Sequence, residues 1–229
     1  THSHEDAQDM RNMGGLAKYM PITATLMILA TLAIAGVPPF AGFFSKDEIL
    51  AFAFGRGEHQ PIFRLFWAMG AVAALLTAFY MARLVAMTFF GANRTGETER
   101  THLHEAPWVM TGPLLVLAAG SLAAGLLNLP ELLPGAGWLE HWLAPVTELG
   151  ARYLPETHLS HGTEWALLAG ATAIAAAGIF GGVKLLSPDG LKPAAEAPAE
   201  VGVQRLLLNK YWIDEVYRSA IVRPLSTDR

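Results

Sequence analysis

The chain of 229 residues has no cysteine, which excludes disulfides, thiolate metal sites and cysteine-ligated iron–sulfur clusters. Charge is also scarce. Asp, Glu, Lys and Arg make up 16% of residues, against about 25% in an ordinary soluble domain. Hydrophobic residues reach 52%, and mean hydropathy is +0.33. A formal net charge of −4 argues against a nucleic-acid partner. The signatures of soluble catalysis are missing: no G-x-S-x-G, no H-E-x-x-H, no phosphate-binding loop and no G-x-G-x-x-G. There is no initiator methionine and no signal-peptide pattern. From the ends, Thr1-His2-Ser3-His4 and Thr227-Asp228-Arg229, we expect a piece of a longer polypeptide, cut on both sides.

What is present is apolar and broken in one place. Pro21 to Phe54 starts with an apolar run, Ile22 to Val37, that suits a bilayer. The pattern then breaks at Gly36, Pro38, Pro39 and Gly42, and Lys46, Asp47 and Glu48 follow before apolar residues resume. One continuous helix over this stretch would be about 50 Å long, well beyond a hydrocarbon core of about 30 Å. Proline also removes backbone donors. The expectation is therefore two half-helices around an irregular joint. Irregular backbone at membrane depth is tolerated only inside protein or beside a water-filled cavity, and an ionisable residue there points to function.

Three further spans are expected, near 63–90, 108–127 and 165–186, giving an all-α membrane protein of about four transmembrane helices. Arg83 lies late in the second span, where it is either a snorkelling side chain or a buried counter-charge and relay partner. The third and fourth spans are rich in Gly and Ala, which lets helices approach closely in lipid, so they read as packing elements. Trp138, Leu139, Trp142, Leu143 and Val146 recur at near-helical spacing and suggest a short interfacial helix. Residues 187–200 form a Pro/Ala linker, and Val201 to Pro224 is an amphipathic segment too charged to span. His2 and His4, beside Glu5, Asp6 and Asp9, lack the spacing of metal ligands and read as a solvated loop, so no metal site is assigned.

With four spans, the N-terminus, the 91–107 loop and the C-terminal tail share one side. That side carries Arg11, Lys18, Arg94, Arg100, Lys184, Lys192, Arg205, Lys210, Arg218 and Arg223, against Arg56, Arg64 and Arg152 opposite. The positive-inside rule puts both ends on the cytoplasmic side or its organellar equivalent. The chemistry left to explain is Lys46 with Asp47 and Glu48. A low-dielectric site disfavours an ammonium and a neighbouring carboxylate favours it, so a small change in nearby charge can move a proton. The relay reading of Lys46 stands beside a simpler one, a lysine snorkelling at the interface with Asp47 and Glu48 solvated or capping the second half-helix.

The run G-V-P-P-F-A-G-F-F-S-K-D-E-I-L, Gly36 to Leu50, resembles the signature of the antiporter-like subunits of respiratory complex I, the subunit L (ND5) family in particular. The flanking runs D-M-R-N-M-G-G-L-A-K-Y-M-P, L-T-A-F-Y-M-A-R-L-V-A-M-T-F-F-G and N-K-Y-W-I-D-E-V-Y agree with it. The resemblance is strong over residues 9–91, fair over 205–224, and rests on hydropathy and loop placement alone over 108–186. Multisubunit Na⁺/H⁺ antiporters and membrane-bound hydrogenases share the P-P-F-x-G-F-x-S-K core. The tail favours subunit L over its sisters, and subunit M tends to carry a glutamate at the Lys46 position.

The resemblance implies a proton-translocating subunit of NADH:quinone oxidoreductase in a bacterial plasma membrane or an organellar inner membrane. It implies that the broken span is the discontinuous helix of the family's second half-channel. Lys46 then matches the lysine that passes protons toward the periplasmic or intermembrane side, and Asp47 the acid beside it. Residues 205–224 resemble the start of the lateral helix that runs along neighbouring antiporter-like subunits. FMN, Fe–S clusters and quinone are expected on other subunits, with no cofactor on this chain. The family's first half-channel has no counterpart here, so the segment is not expected to carry a proton across a membrane alone.

Overall fold

The computed structural model describes residues 10–96, 100–129, 137–151, 159–184, 202, 205–206 and 209–223. The His2/His4 loop and the 187–200 linker lie outside the described residues. The described regular structure is helical throughout: α1 (Pro21–Ala35), α2 (Ala41–Arg56), α3 (Ile62–Phe89), α4 (Trp108–Ala123), α5 (Trp138–Ala151) and α6 (His161–Lys184), then a short α7 (Ile213–Tyr217). A 3₁₀ segment, Ala124–Asn128, extends α4. Three stretches, Ile62–Phe89, Trp108–Leu127 and His161–Lys184, are long and apolar enough to cross a membrane. The chain is an all-α membrane protein.

The first expected span is discontinuous. α1 has 15 residues, so it is about 22 Å long, short of the hydrocarbon thickness. It starts at Pro21, which suits the first helical position because its missing N–H would have no partner there. No side chain of its N-cap residue, Met20, caps it. The cap comes from far along the chain. The Glu105 carboxylate accepts the N–H groups of Ile22 (2.7 Å) and Thr23 (3.2 Å) and the Thr23 hydroxyl. Arg100 Nε donates to the Tyr19 hydroxyl at 2.7 Å, so the 91–107 loop holds the entry to α1 at two points.

α3 and α6 pack by close backbone approach. A Cβ on Gly178 would lie 2.7 Å from the Leu75 carbonyl oxygen, and one on Gly182 would lie 2.5 Å from that of Phe79. Facing them are Ala78 and Ala82, both buried. Small residues four apart on both helices make the seam, the arrangement that favours association where lipid supplies no hydrophobic drive. Leu16, Ala24, Val85 and Phe89 form a buried cluster that ties the start of α1 to the end of α3. Ser160 caps α6 through the Thr163 N–H at 3.2 Å.

Residues Lys192–Arg229 form a separate compact unit. The expected amphipathic segment, Val201 to Pro224, falls in it. Among its described residues Lys210, Tyr211 and Trp212 have positive φ, and α7 begins at Ile213, followed by a wider turn over Arg218–Val222. Left-handed backbone is unfavourable for such side chains, and nothing in the described part of this unit explains it. Lys210 and Asp214 pair at 3.4 Å on the exposed surface.

Candidate functional site at the helix break

The end of α1 follows from its sequence. In a continuing helix, the carbonyls of Ile34 and Ala35 would be met by the N–H groups of residues 38 and 39. Both are proline and have none. Gly36 adopts the left-handed conformation (φ 78°, ψ 49°). The Gly36 N–H then bonds to the Ala33 carbonyl (3.2 Å) and the Val37 N–H to that of Leu32 (3.0 Å). This is a Schellman ending, and it uses the two carbonyls before Ile34. Val37 to Phe40 bridge to α2, with the Pro38–Pro39 bond cis.

The open carbonyl of Ile34 is met by Lys46. Its Nζ donates to Ile34 O at 2.9 Å from the second turn of α2. A cation at a helix C-terminus also faces the negative end of the helix dipole. Lys46 is half-buried and borders two spaces. One is an open groove of about 570 Å³ shared with Ile34, Ser45 and Thr77. The other is a narrow cavity of about 20 Å³ that also reaches Asp47, Gly36 and Phe43 and is closed by Ala171, Ile174 and Ala175 of α6. About one water fits in such a volume.

Lys46 and Asp47 therefore share a cavity at the joint, and both are half-buried. Glu48 is exposed on the same helix. Arg83 is also exposed. It lies six residues beyond Thr77, the furthest point at which α3 lines the groove, or roughly 9 Å along the helix. Gly36 forms the end of α1, and Pro38 and Pro39 lie between the helices. Gly42 sits in the first turn of α2, against the Ala33 carbonyl. Thr25, Ser45 and Thr77 each donate to a carbonyl four residues back on their own helix. Among the described residues the buried Thr31 hydroxyl has no partner.

Three contributions were missed in the sequence. The Ile34 carbonyl is backbone and carries no side-chain signal, although the prolines four and five residues on mark it. Glu105 caps α1 from 82 residues away. The only hint of such a cap was that Met20-Pro21 cannot supply one itself. Gly125 packs on the joint, where a Cβ would lie 2.8 Å from the Pro39 carbonyl oxygen. Glu105 lies outside the spans. Its carboxyl is held below the usual carboxylate range, first by the Thr23 hydroxyl and also by the N–H groups of Ile22, Thr23 and Ala106, with desolvation opposing.

A helical membrane protein with a lysine and a carboxylate at the break of a discontinuous span is the class these features define. Comparison narrows it. The family model described as NADH:quinone oxidoreductase/Mrp antiporter, TM, matches residues 1–77, which include α1, the break, α2 and half of α3. Over those residues the chain is similar to this family of antiporter-like membrane proteins. It is 38% identical to the NAD(P)H-quinone oxidoreductase chain 5 of Picosynechococcus sp. over 96% of its length. It is 48% identical to the NADH-quinone oxidoreductase subunit L of Mycobacterium tuberculosis over 63% of its length, and 31% identical to that of Rhodobacter capsulatus over 97%. The chain spans 34%, 22% and 40% of these three relatives respectively.

Proposed function

We propose that this chain forms the exit half of a proton path in a subunit of an NADH:quinone oxidoreductase, with Lys46 as its proton-holding station. The observation that carries the reading is the Lys46 ammonium on the open Ile34 carbonyl, at the joint of a span that no membrane helix could cross unbroken. The charged form of Lys46 is held by the carbonyl, by the end of α1 and by Asp47 beside it. The neutral form suits the apolar walls that α3 and α6 bring to the site. A change in the charge of a neighbouring group tips the balance, and Nζ releases its proton toward the cavity it shares with Asp47 and is later reloaded. Asp47 is the next group on this path. Glu48 and Arg83 lie outside the shared cavity and serve the surface.

The proton arrives from a half-channel supplied by the rest of the subunit, so the segment does not pump by itself. Electron transfer from NADH to quinone, through FMN and Fe–S clusters, belongs to other subunits. Neighbouring antiporter-like subunits are the partners, with 205–224 as the contact. The basic excess of the N-terminal, 91–107 and C-terminal segments supports both ends on the cytoplasmic side of a bacterial plasma membrane or its organellar equivalent. The names of the relatives favour the oxidoreductase over the Mrp-type cation/proton antiporter that the family description also covers.

The test is Lys46→Met in the full-length subunit within its complex, reconstituted in vesicles. NADH oxidation and the proton gradient are measured together. An assembled complex with a lower proton-to-electron ratio is expected, and an unchanged ratio would remove Lys46 from the path. Sodium efflux without NADH oxidation would move the chain to the antiporter class.

A further inference from the structure

We propose that Gly42 is a positioning residue for Lys46: its missing side chain sets how closely α2 approaches α1, and hence whether the ammonium reaches Ile34. This rests on Lys46 being the proton station.

Gly42 and Lys46 are four residues apart, so they lie on one face of α2, a turn apart. That face meets two successive carbonyls of α1: Gly42 lies over Ala33, and Lys46 bonds to Ile34. A Cβ on Gly42 would stand 2.1 Å from the Ala33 carbonyl oxygen and 3.0 Å from its carbon. Ordinary carbon-to-oxygen contacts begin near 3.3 Å, so the first turn of α2 would have to move by about 1 Å. The oxygen cannot give way alone, because it accepts the Gly36 N–H in the turn that ends α1. A displacement of about 1 Å takes a 2.9 Å hydrogen bond beyond bonding distance.

Gly36 acts differently. A Cβ there would meet Lys46 Nζ at 3.5 Å, an ordinary contact, and the demand at Gly36 is its positive φ. The steric limit on Lys46 therefore sits at Gly42. Among the described residues, Lys46 faces no other ionisable side chain from the packed elements. α1 has none. α3 presents Gly70, Ala73, Ala74 and Thr77, and α6 contributes only apolar residues. On its own helix, Asp47 and Glu48 are adjacent.

The experiment compares wild type, Gly42→Ala, Lys46→Met and the double variant, each in the full-length subunit of the assembled complex. Complex yield, NADH:quinone turnover and proton-to-electron ratio are followed across pH. Gly42→Ala is expected to assemble and to displace the pumping-against-pH curve from the wild-type one, because the ammonium has lost an acceptor. The double variant is expected to match Lys46→Met, since the effect of Gly42 runs through Lys46. A wild-type curve in Gly42→Ala overturns the proposal. So does a double variant that falls well below Lys46→Met, or loss of assembly in Gly42→Ala while Lys46→Met assembles, since either makes the contact purely structural. If Lys46→Met itself pumps normally, the station has failed rather than its positioning.

Discussion

Glycine does opposite work in two regions of this molecule. Between α3 and α6, Gly178 and Gly182 let two long continuous helices touch backbone to backbone, and the seam is apolar. Between α1 and α2, Gly36 and Gly42 shape a joint where a carbonyl is left open and a lysine fills it. The first use favours adhesion in lipid. The second brings a lysine to the end of a helix and gives it an acceptor. The difference lies in the neighbours. Gly178 and Gly182 sit in an unbroken hydrogen-bonded ladder, whereas Gly36 precedes two prolines that cannot continue one.

The largest effect should come from Lys46→Met, which lowers the proton-to-electron ratio while leaving the α3–α6 seam and assembly intact, read as that ratio against complex yield. The converse change is Gly178→Leu. It should lower the thermal stability of the subunit in detergent, because overpacking typically costs about 1–3 kcal/mol and here a backbone carbonyl stands 2.7 Å from the new Cβ. What complex survives should pump with a normal ratio. If Gly178→Leu lowers the ratio and Lys46→Met lowers the yield, the division between the regions is wrong. Gly42→Ala falls between them, with its shifted pH curve.

Smaller effects sharpen the boundary of the joint. Arg83→Gln should leave the proton-to-electron ratio at the wild-type value, because Arg83 is exposed and further along α3 than the groove. A fall in ratio without a fall in yield would restore Arg83 to the path. Glu105→Gln should act through pH. The depressed Glu105 pKa contributes stability at pH above its unfolded value, about 4.5, and that contribution is lost as pH falls through the lower folded value. The protection of the first turn of α1 against amide exchange should therefore weaken on acidification in wild type. In Glu105→Gln it should already be weaker at neutral pH and change less.

Much of the helical plan was readable because the bilayer imposes it. Apolar runs near 63–90, 108–127 and 165–186 correspond to helices at Ile62–Phe89, Trp108–Leu127 and His161–Lys184. The ends differ by a few residues because polar residues such as His161 and Glu164 join a helix once Ser160 caps it. The break was readable because proline has no N–H and Gly36 adopts positive φ readily. In the tail the amphipathic pattern gave no sign of the positive φ at Lys210, Tyr211 and Trp212, three residues that are neither glycine nor proline. At the site, Lys46 and Asp47 stood out as ionisable residues in an apolar chain. Their environment did not, since it depends on α6, more than 120 residues further on.

By itself, then, the sequence determined that the first span must break, where it must break, and that the carbonyls of Ile34 and Ala35 would lack helical partners. Those results follow from local covalent chemistry. Only the tertiary structure decided that Lys46 takes the Ile34 carbonyl, that Glu105 holds the far end of α1, and that Arg83 is exposed on α3 beyond the residues lining the groove. Each of these depends on how helices and loops distant in sequence are placed against one another, which local covalent chemistry does not fix.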